Sequence, residues 1–113
     1  MRSKISSLSK NDEFKYILNG KKISNKYSTI FFRKIPNKNN NKLNIGFVTK
    51  KKIGNAVIRN KIKRRLRNIM NDSVKKIKID LSYSYLLIAK KNIFEDPYEK
   101  IKEVLFIDFK KIR

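Results

Sequence analysis

Between residues 50 and 67 the chain reads Lys50-Lys51-Lys52-Ile53-Gly54-Asn55-Ala56-Val57-Ile58-Arg59-Asn60-Lys61-Ile62-Lys63-Arg64-Arg65-Leu66-Arg67. The chemistry available to such a run is the neutralisation of phosphates. On a helix, Arg59, Lys63 and Arg67 fall at i, i+4 and i+8, and Asn60 and Arg64 form the adjoining row. Like charges stacked this way repel by a few tenths of a kcal/mol, roughly, per pair. A purely structural role would interleave glutamates, yet no acid occurs between Glu13 and Asp72. Lys50, Lys51 and Lys52, with a Gly-Asn turn, precede the helix start, where cations oppose the macrodipole but backbone N–H groups attract anions. Phosphates between the two would reconcile them. The plainer alternative is a solvated basic face in a lysine-rich chain.

Other chemistry is excluded by what the chain lacks. It has no histidine and no cysteine, which removes imidazole acid/base catalysis, thiolate nucleophiles, disulfides and the usual zinc ligands. The acids that might hold Mg²⁺ are Asp12, Glu13, Asp72, Asp80, Glu95, Asp96, Glu99, Glu103 and Asp108. Most of them read as helix caps or first-turn residues, so an independent metal nuclease is disfavoured.

Thirty Lys+Arg against nine Asp+Glu give a formal charge of +21, a self-repulsion that a polyanion would relieve. Lysine dominates, which favours phosphate contacts over bidentate reading of bases. The 113 residues suit one domain, 1–113, since chains of roughly 100–150 residues build a single core. No apolar run approaches the roughly 18 residues of a membrane span, and Met1 to Lys15 lacks a signal peptide's apolar centre. A cytosolic (cytoplasmic) protein is expected, with no membrane partner.

The elements that must position the basic run follow from pattern. Ser9 reads as an N-cap with Asp12 and Glu13 in the first turn, and Phe14, Ile17 and Leu18 form an apolar stripe ending near Gly20. Tyr27 to Arg33 reads as a strand, with a shorter one near Lys22 to Ser24. A loop from Pro36 to Lys42 follows, biased in composition and expected to be mobile. Leu43 to Lys50 alternates as a second long strand, with Leu43, Ile45, Phe47 and Thr49 on one side and Gly46 and Val48 on the other. Ile58, Ile62, Leu66, Ile69, Met70, Val74 and Ile77 recur at helical spacing. Leu81 to Ala89 has the apolar density of a buried strand, on which Tyr83 and Tyr85 share one face open to exposure. Asp96-Pro97-Tyr98-Glu99 opens a last helix with a capping box. Its stripe is Tyr98, Ile101, Val104, Leu105 and Phe109.

The run Gly46 to Arg67, with its Lys-Lys-x-Gly-x-Ala-Val-x-Arg-Asn-x-Ile-Lys-Arg pattern, resembles the signature of the ribonuclease P protein family. Leu8 with Phe14, and the strand ending in Ile88-Ala89-Lys90-Lys91, match in support. The resemblance implies an α+β fold, an α-β-β-β-α-β-α sandwich resembling a ribosomal S5 domain 2-like fold. It also implies a left-handed βαβ crossover, against the general preference.

By the same resemblance, Lys51, Lys52, Arg59, Asn60, Lys61, Lys63, Arg64 and Arg67 would contact the catalytic RNA subunit. Lys61 stands where the family usually has arginine, which keeps charge but loses a bidentate contact. The single-stranded 5′ leader of precursor tRNA would lie in a cleft with Phe14, Leu18, Phe31, Lys90 and Lys91. Leu18 departs from an expected aromatic and cannot stack on a base as a π-face does. Only one of Phe31 and Phe32 can face the cleft, and Phe31 is preferred. For Phe14, core packing weighs evenly against stacking. The expected role is that of one protein per RNA, assisting removal of the leader, with Mg²⁺ held through the RNA subunit and no catalytic residue on this chain. The rival reading is a small basic ribosomal protein.

Overall fold

The computed structural model describes residues 5–8, 10–36 and 41–112. The elements run β1 (Ile5–Ser7), α1 (Asn11–Leu18), β2 (Lys21–Ser24), β3 (Ser28–Lys34), β4 (Leu43–Val48), α2 (Ala56–Lys76), β5 (Tyr83–Ala89) and α3 (Tyr98–Lys111). Short 3-10 turns at Lys51–Ile53 and Lys91–Phe94 lead into α2 and α3. The strands form one sheet in the order β1-β4-β5-β3-β2. β4 and β5 are parallel neighbours joined through α2, and β3 runs antiparallel to β5 and β2. This is the expected α+β order with one addition, because β1 pairs parallel with β4 through Ile5 and Leu43. A three-residue edge strand carries too little pattern to be read locally, and its pairing is set by a strand 38 residues away.

Alternation along the strands sends side chains to two unequal faces. On one face Ile30 and Phe32 of β3, Tyr85 and Leu87 of β5, and Leu43 and Ile45 of β4 join the main core. The stripe of α2 closes over them with Ile62, Leu66, Ile69 and Met70, and that of α3 with Ile101, Leu105 and Phe109. Tyr85 is fully buried, its hydroxyl donating to the Asp80 carbonyl at 2.6 Å, and Tyr83 packs edge-on to Phe32 at 5.2 Å. Both tyrosines therefore belong to the core face rather than to an exposed one. On the other face α1 packs over Leu86 through Ile17, joined by Phe14, Phe31, Val48 and Ile88.

Two helix starts depart from pattern. Ser9 lies outside the described residues, and Lys10 occupies the N-cap of α1 with no side-chain bond. At α3 the N-cap is Pro97, also without a side-chain bond, so the Asp96–Glu99 capping box does not form. Asp96 instead accepts a very short hydrogen bond from the buried Tyr27 hydroxyl and pairs with Lys26 at 3.3 Å. A buried phenol demands an acceptor, and that demand outweighs a cap. The Pro36 to Lys42 loop falls largely on residues outside the description. No helix among the described residues is long and apolar enough to cross a membrane.

Candidate nucleic-acid interface

The basic helix is set by its cap and its stripe. Asn55 accepts from the Ile58 N–H at 3.0 Å through its side chain, so the Gly-Asn turn caps α2 and consumes one of the N–H groups that the sequence leaves free for an anion. Burying Ile62, Leu66, Ile69, Met70 and Ser73 then fixes the rotation of the helix and divides its cations. Arg59 and Lys63 lie half-buried along one flank, with Arg67 exposed in the same row. Lys61 and Arg65 stand one turn apart on the opposite flank, and Asn60 and Arg64 are exposed between them. The Nε of Arg59 is buried without a partner among the described residues. α3 closes alongside α2 through Lys102, which donates to Asp72 at 3.1 Å. That bond, more than the charges around it, lowers the Asp72 pKa and raises that of Lys102.

The half-covered sheet face supplies a cleft. Phe31 lies on the α1 side, half-buried, while Phe32 is in the core at 7% exposure. Lys22, opposite Phe31 across the strand pair, holds its ammonium 5.8 Å from the Phe31 ring. Phe14 is half-buried against Gly46, where an added Cβ would come within 2.9 Å of its ring and 3.2 Å of Leu86. The glycine thus lets the aromatic lie directly on the sheet. Leu18 is 42% exposed and packs in neither hydrophobic cluster.

At one end this face opens into a pocket of about 470 Å³ where Lys50, Lys52, Lys90 and Lys91 surround Thr29 and Ile88. Lys90 is partly engaged already, since its ammonium donates to Ser24 Oγ at 2.9 Å and to the Asn25 carbonyl at 2.6 Å. It ties β5 to the β2–β3 turn. Lys51 is exposed on the neighbouring 3-10 turn, outside the pocket lining. A second pocket of about 720 Å³, beside Ile79, Leu81 and Ile112, is lined by none of the residues expected to contact RNA, though Asp80 borders it.

Several participants escape the sequence reading. Lys22 joins the cleft through strand pairing, a long-range fact, and Lys50, already named before the helix start, meets Lys90 and Lys91 only because β4 lies beside β5. Arg33 stacks on Tyr16 at 3.9 Å and donates to the Tyr16 carbonyl at 3.1 Å. Arg65 lies over the exposed ring of Phe94. Among the described residues, no three of His, Cys, Asp and Glu gather within reach of one metal ion.

These features define a class, a small basic α+β protein with a half-covered sheet face that opens onto lysines and a basic helix packed on the opposite face. A family profile described as Ribonuclease P matches residues 3–113. The ribonuclease P protein components of Bacillus cereus strain Q1 and Bacillus anthracis strain CDC 684 are each 34% identical over 105 residues. Those alignments cover 92% of this chain and 88% and 85% of the relatives. Among solved structures, the RNase P protein of Thermotoga maritima superposes with a TM-score of 0.77 at 26% identity, covering 96% of this chain and 98% of that one. A Staphylococcus aureus RNase P protein mutant gives 0.77 at 28% identity, covering 94% and 86%. The chain belongs to the ribonuclease P protein family. It is a protein component of bacterial type, and its place is in an endoribonuclease complex with a partner RNA subunit.

Proposed function

We propose that this chain binds the catalytic RNA of ribonuclease P through the basic flanks of α2 and holds the single-stranded 5′ leader of precursor tRNA in the cleft beside α1. In doing so it assists removal of the leader to give mature 5′ ends. The observation that carries the reading is the opening of a half-covered aromatic and aliphatic face, with Phe14 and Phe31, onto the lysines at 50, 52, 90 and 91. Bases stack on π-faces without sequence preference, and phosphates follow cations, so such a cleft suits a leader of variable sequence. Arg59, Asn60, Lys61, Lys63, Arg64 and Arg67 take the RNA-facing role on α2, with Lys51 and Lys52 before it. Mg²⁺ enters through the RNA subunit in this reading, one protein serves one RNA, and the complex works in the cytoplasm.

Reconstitution tests it. The protein freed of RNA should leave precursor tRNA intact, and adding the partner RNA with Mg²⁺ should produce 5′ maturation. Specific cleavage by RNA-free protein at a comparable rate would refute the division of labour. Changing Arg59 and Lys63 together to Ala should weaken binding to the catalytic RNA and reduce the slope of log affinity against log salt by up to about one unit per lost phosphate contact. An unchanged slope with a collapsed melting temperature would return that flank to a structural role.

A further inference from the structure

Phe94 is 41% exposed and packs in neither hydrophobic cluster. A phenyl ring has a large apolar area to bury, and this one leaves about two fifths of its surface open to water on a chain of charge +21. Its surroundings point to a partner. Phe94 ends the 3-10 turn that begins at Lys91, directly after the lysine pair that lines the pocket at the end of the cleft. The guanidinium of Arg65 lies 5.9 Å from its ring centroid. Arg65 shares a flank of α2 with Lys61, the flank turned away from Arg59 and Lys63. The ring therefore stands where two cationic surfaces meet. Of the other exposed apolar side chains, Val57, Leu18 and Ile107 are aliphatic and offer no π-face. The Tyr16 ring already carries Arg33 at 3.9 Å.

We infer that Phe94, flanked by Arg65, is a stacking platform for one unpaired RNA base, distinct from the cleft of Phe14 and Phe31. The base stacks on the ring, and Arg65 and Lys61 hold the adjoining phosphates. This inference rests on the RNA-binding reading above. Its base comes either from the catalytic RNA or from precursor tRNA, and the two sources separate by experiment.

Phe94→Ala should fold with only a small shift in melting temperature, because the ring lies outside the buried clusters. Its affinity for the RNA that supplies the base should fall by about 5- to 150-fold, the range for one lost base stack. The salt slope should stay at the wild-type value, since no phosphate contact is removed. Phe94→Leu should fall with Phe94→Ala, and Phe94→Tyr should bind as the wild type does. A loss seen with the catalytic RNA alone assigns the base to that RNA. A loss seen only when the holoenzyme binds precursor tRNA assigns it there. The chain has no tryptophan, so Phe94→Trp places a single indole at the site, and its fluorescence should be quenched when that RNA binds.

Phe94→Ala within twofold of wild type for both RNAs, or Phe94→Leu binding as well as wild type, would overturn the platform. If the wild-type chain bound neither RNA, the broader reading would fall with it. A wild-type chain that binds both while Phe94→Ala binds equally overturns the platform alone.

Discussion

The two faces of the sheet are built from the same strands by the same alternation, yet one is sealed and the other is not. Ile30, Phe32, Tyr85 and Leu87 look toward α2 and α3. Phe31, Leu86 and Ile88 look toward α1. Helix lengths explain the difference. α2 has 21 residues and α3 has 14, about 31 Å and 21 Å at 1.5 Å per residue, enough to span the sheet. α1 has 8 residues, about 12 Å, while five strands spaced by about 4.8 Å are about 19 Å across. A helix that short leaves part of its face open, and there apolar side chains can exchange water for a base. In the function proposed above, stability and recognition divide between alternate positions of the same strands.

That division is sharpest in a pair of truncations. Phe109→Ala on the sealed face, where the ring is fully buried and edge-on to Tyr85 at 5.3 Å, should cost about 3–5 kcal/mol in denaturant unfolding. Phe31→Ala on the open face should cost less, about 1–2 kcal/mol, since the ring is only partly buried. It should weaken holoenzyme binding of leader-bearing precursor tRNA by about 1–3 kcal/mol and spare mature tRNA. Equal stability losses at the two positions would erase the distinction between the faces.

A smaller effect tests what seats α1. At Gly20 an added Cβ would meet the Phe32 carbonyl oxygen at 2.5 Å and Arg33 Cβ at 2.8 Å, and neither group can yield without moving β3. Gly20→Ala should therefore lift the α1–β2 turn at a cost of about 1–3 kcal/mol. Leader binding should drop, whereas affinity for the catalytic RNA should hold because α2 packs on the other face. A variant of wild-type stability that binds the leader normally would show that the turn does not set the cleft.

How far the residues announced this arrangement depends on whether their partners were near in sequence. α2 was legible because seven apolar positions recur at helical spacing, β3 by its β-rich composition, β4 by alternation and β5 by its apolar density, whereas β1 was not. The side of β3 that each phenylalanine takes also follows alternation once Ile30 is placed in the core. The burial of Tyr85 was not legible, because period two separates two faces without saying which one is sealed. Asp96 looked like a cap and was diverted by Tyr27, 69 residues away in the chain. Lys90 is engaged by a turn 65 residues away. The division of the cations on α2 into two flanks, and the approach of Arg65 to Phe94, appear only once α2 and the turn before α3 are packed.

The smallest effect concerns the rim where the sealed face meets the lysine pocket. Tyr27 is fully buried in the main core, its carbonyl accepts from Lys90 N–H at 2.8 Å, and its hydroxyl donates to Asp96. That bond first, then burial and the charge of Asp96, push the Tyr27 pKa from 10.0 up to about 12. The same bond, with help from Lys26, holds Asp96 below the ordinary carboxylate value of 3.8. A raised tyrosine stabilises fully below the unfolded pKa of 10.0. As pH climbs from 10 to about 12 the unfolded chain loses its proton first, and the contribution disappears. The lowered Asp96 has the opposite sense, so its contribution is present above 3.8 and is lost as pH falls below it. Tyr27→Phe removes the proton and the bond together. The stability gap between wild type and Tyr27→Phe, from urea unfolding at fixed ionic strength, should be constant from pH 7 to about 10 and then shrink toward about 12. Lysines titrate over the same range in both proteins, so the gap rather than either absolute stability is the readout. A gap that stays flat through pH 12 would mean that Asp96 does not hold the phenol. If the two faces are as separate as their packing implies, Tyr27→Phe at neutral pH should lower stability while leaving discrimination for the leader unchanged.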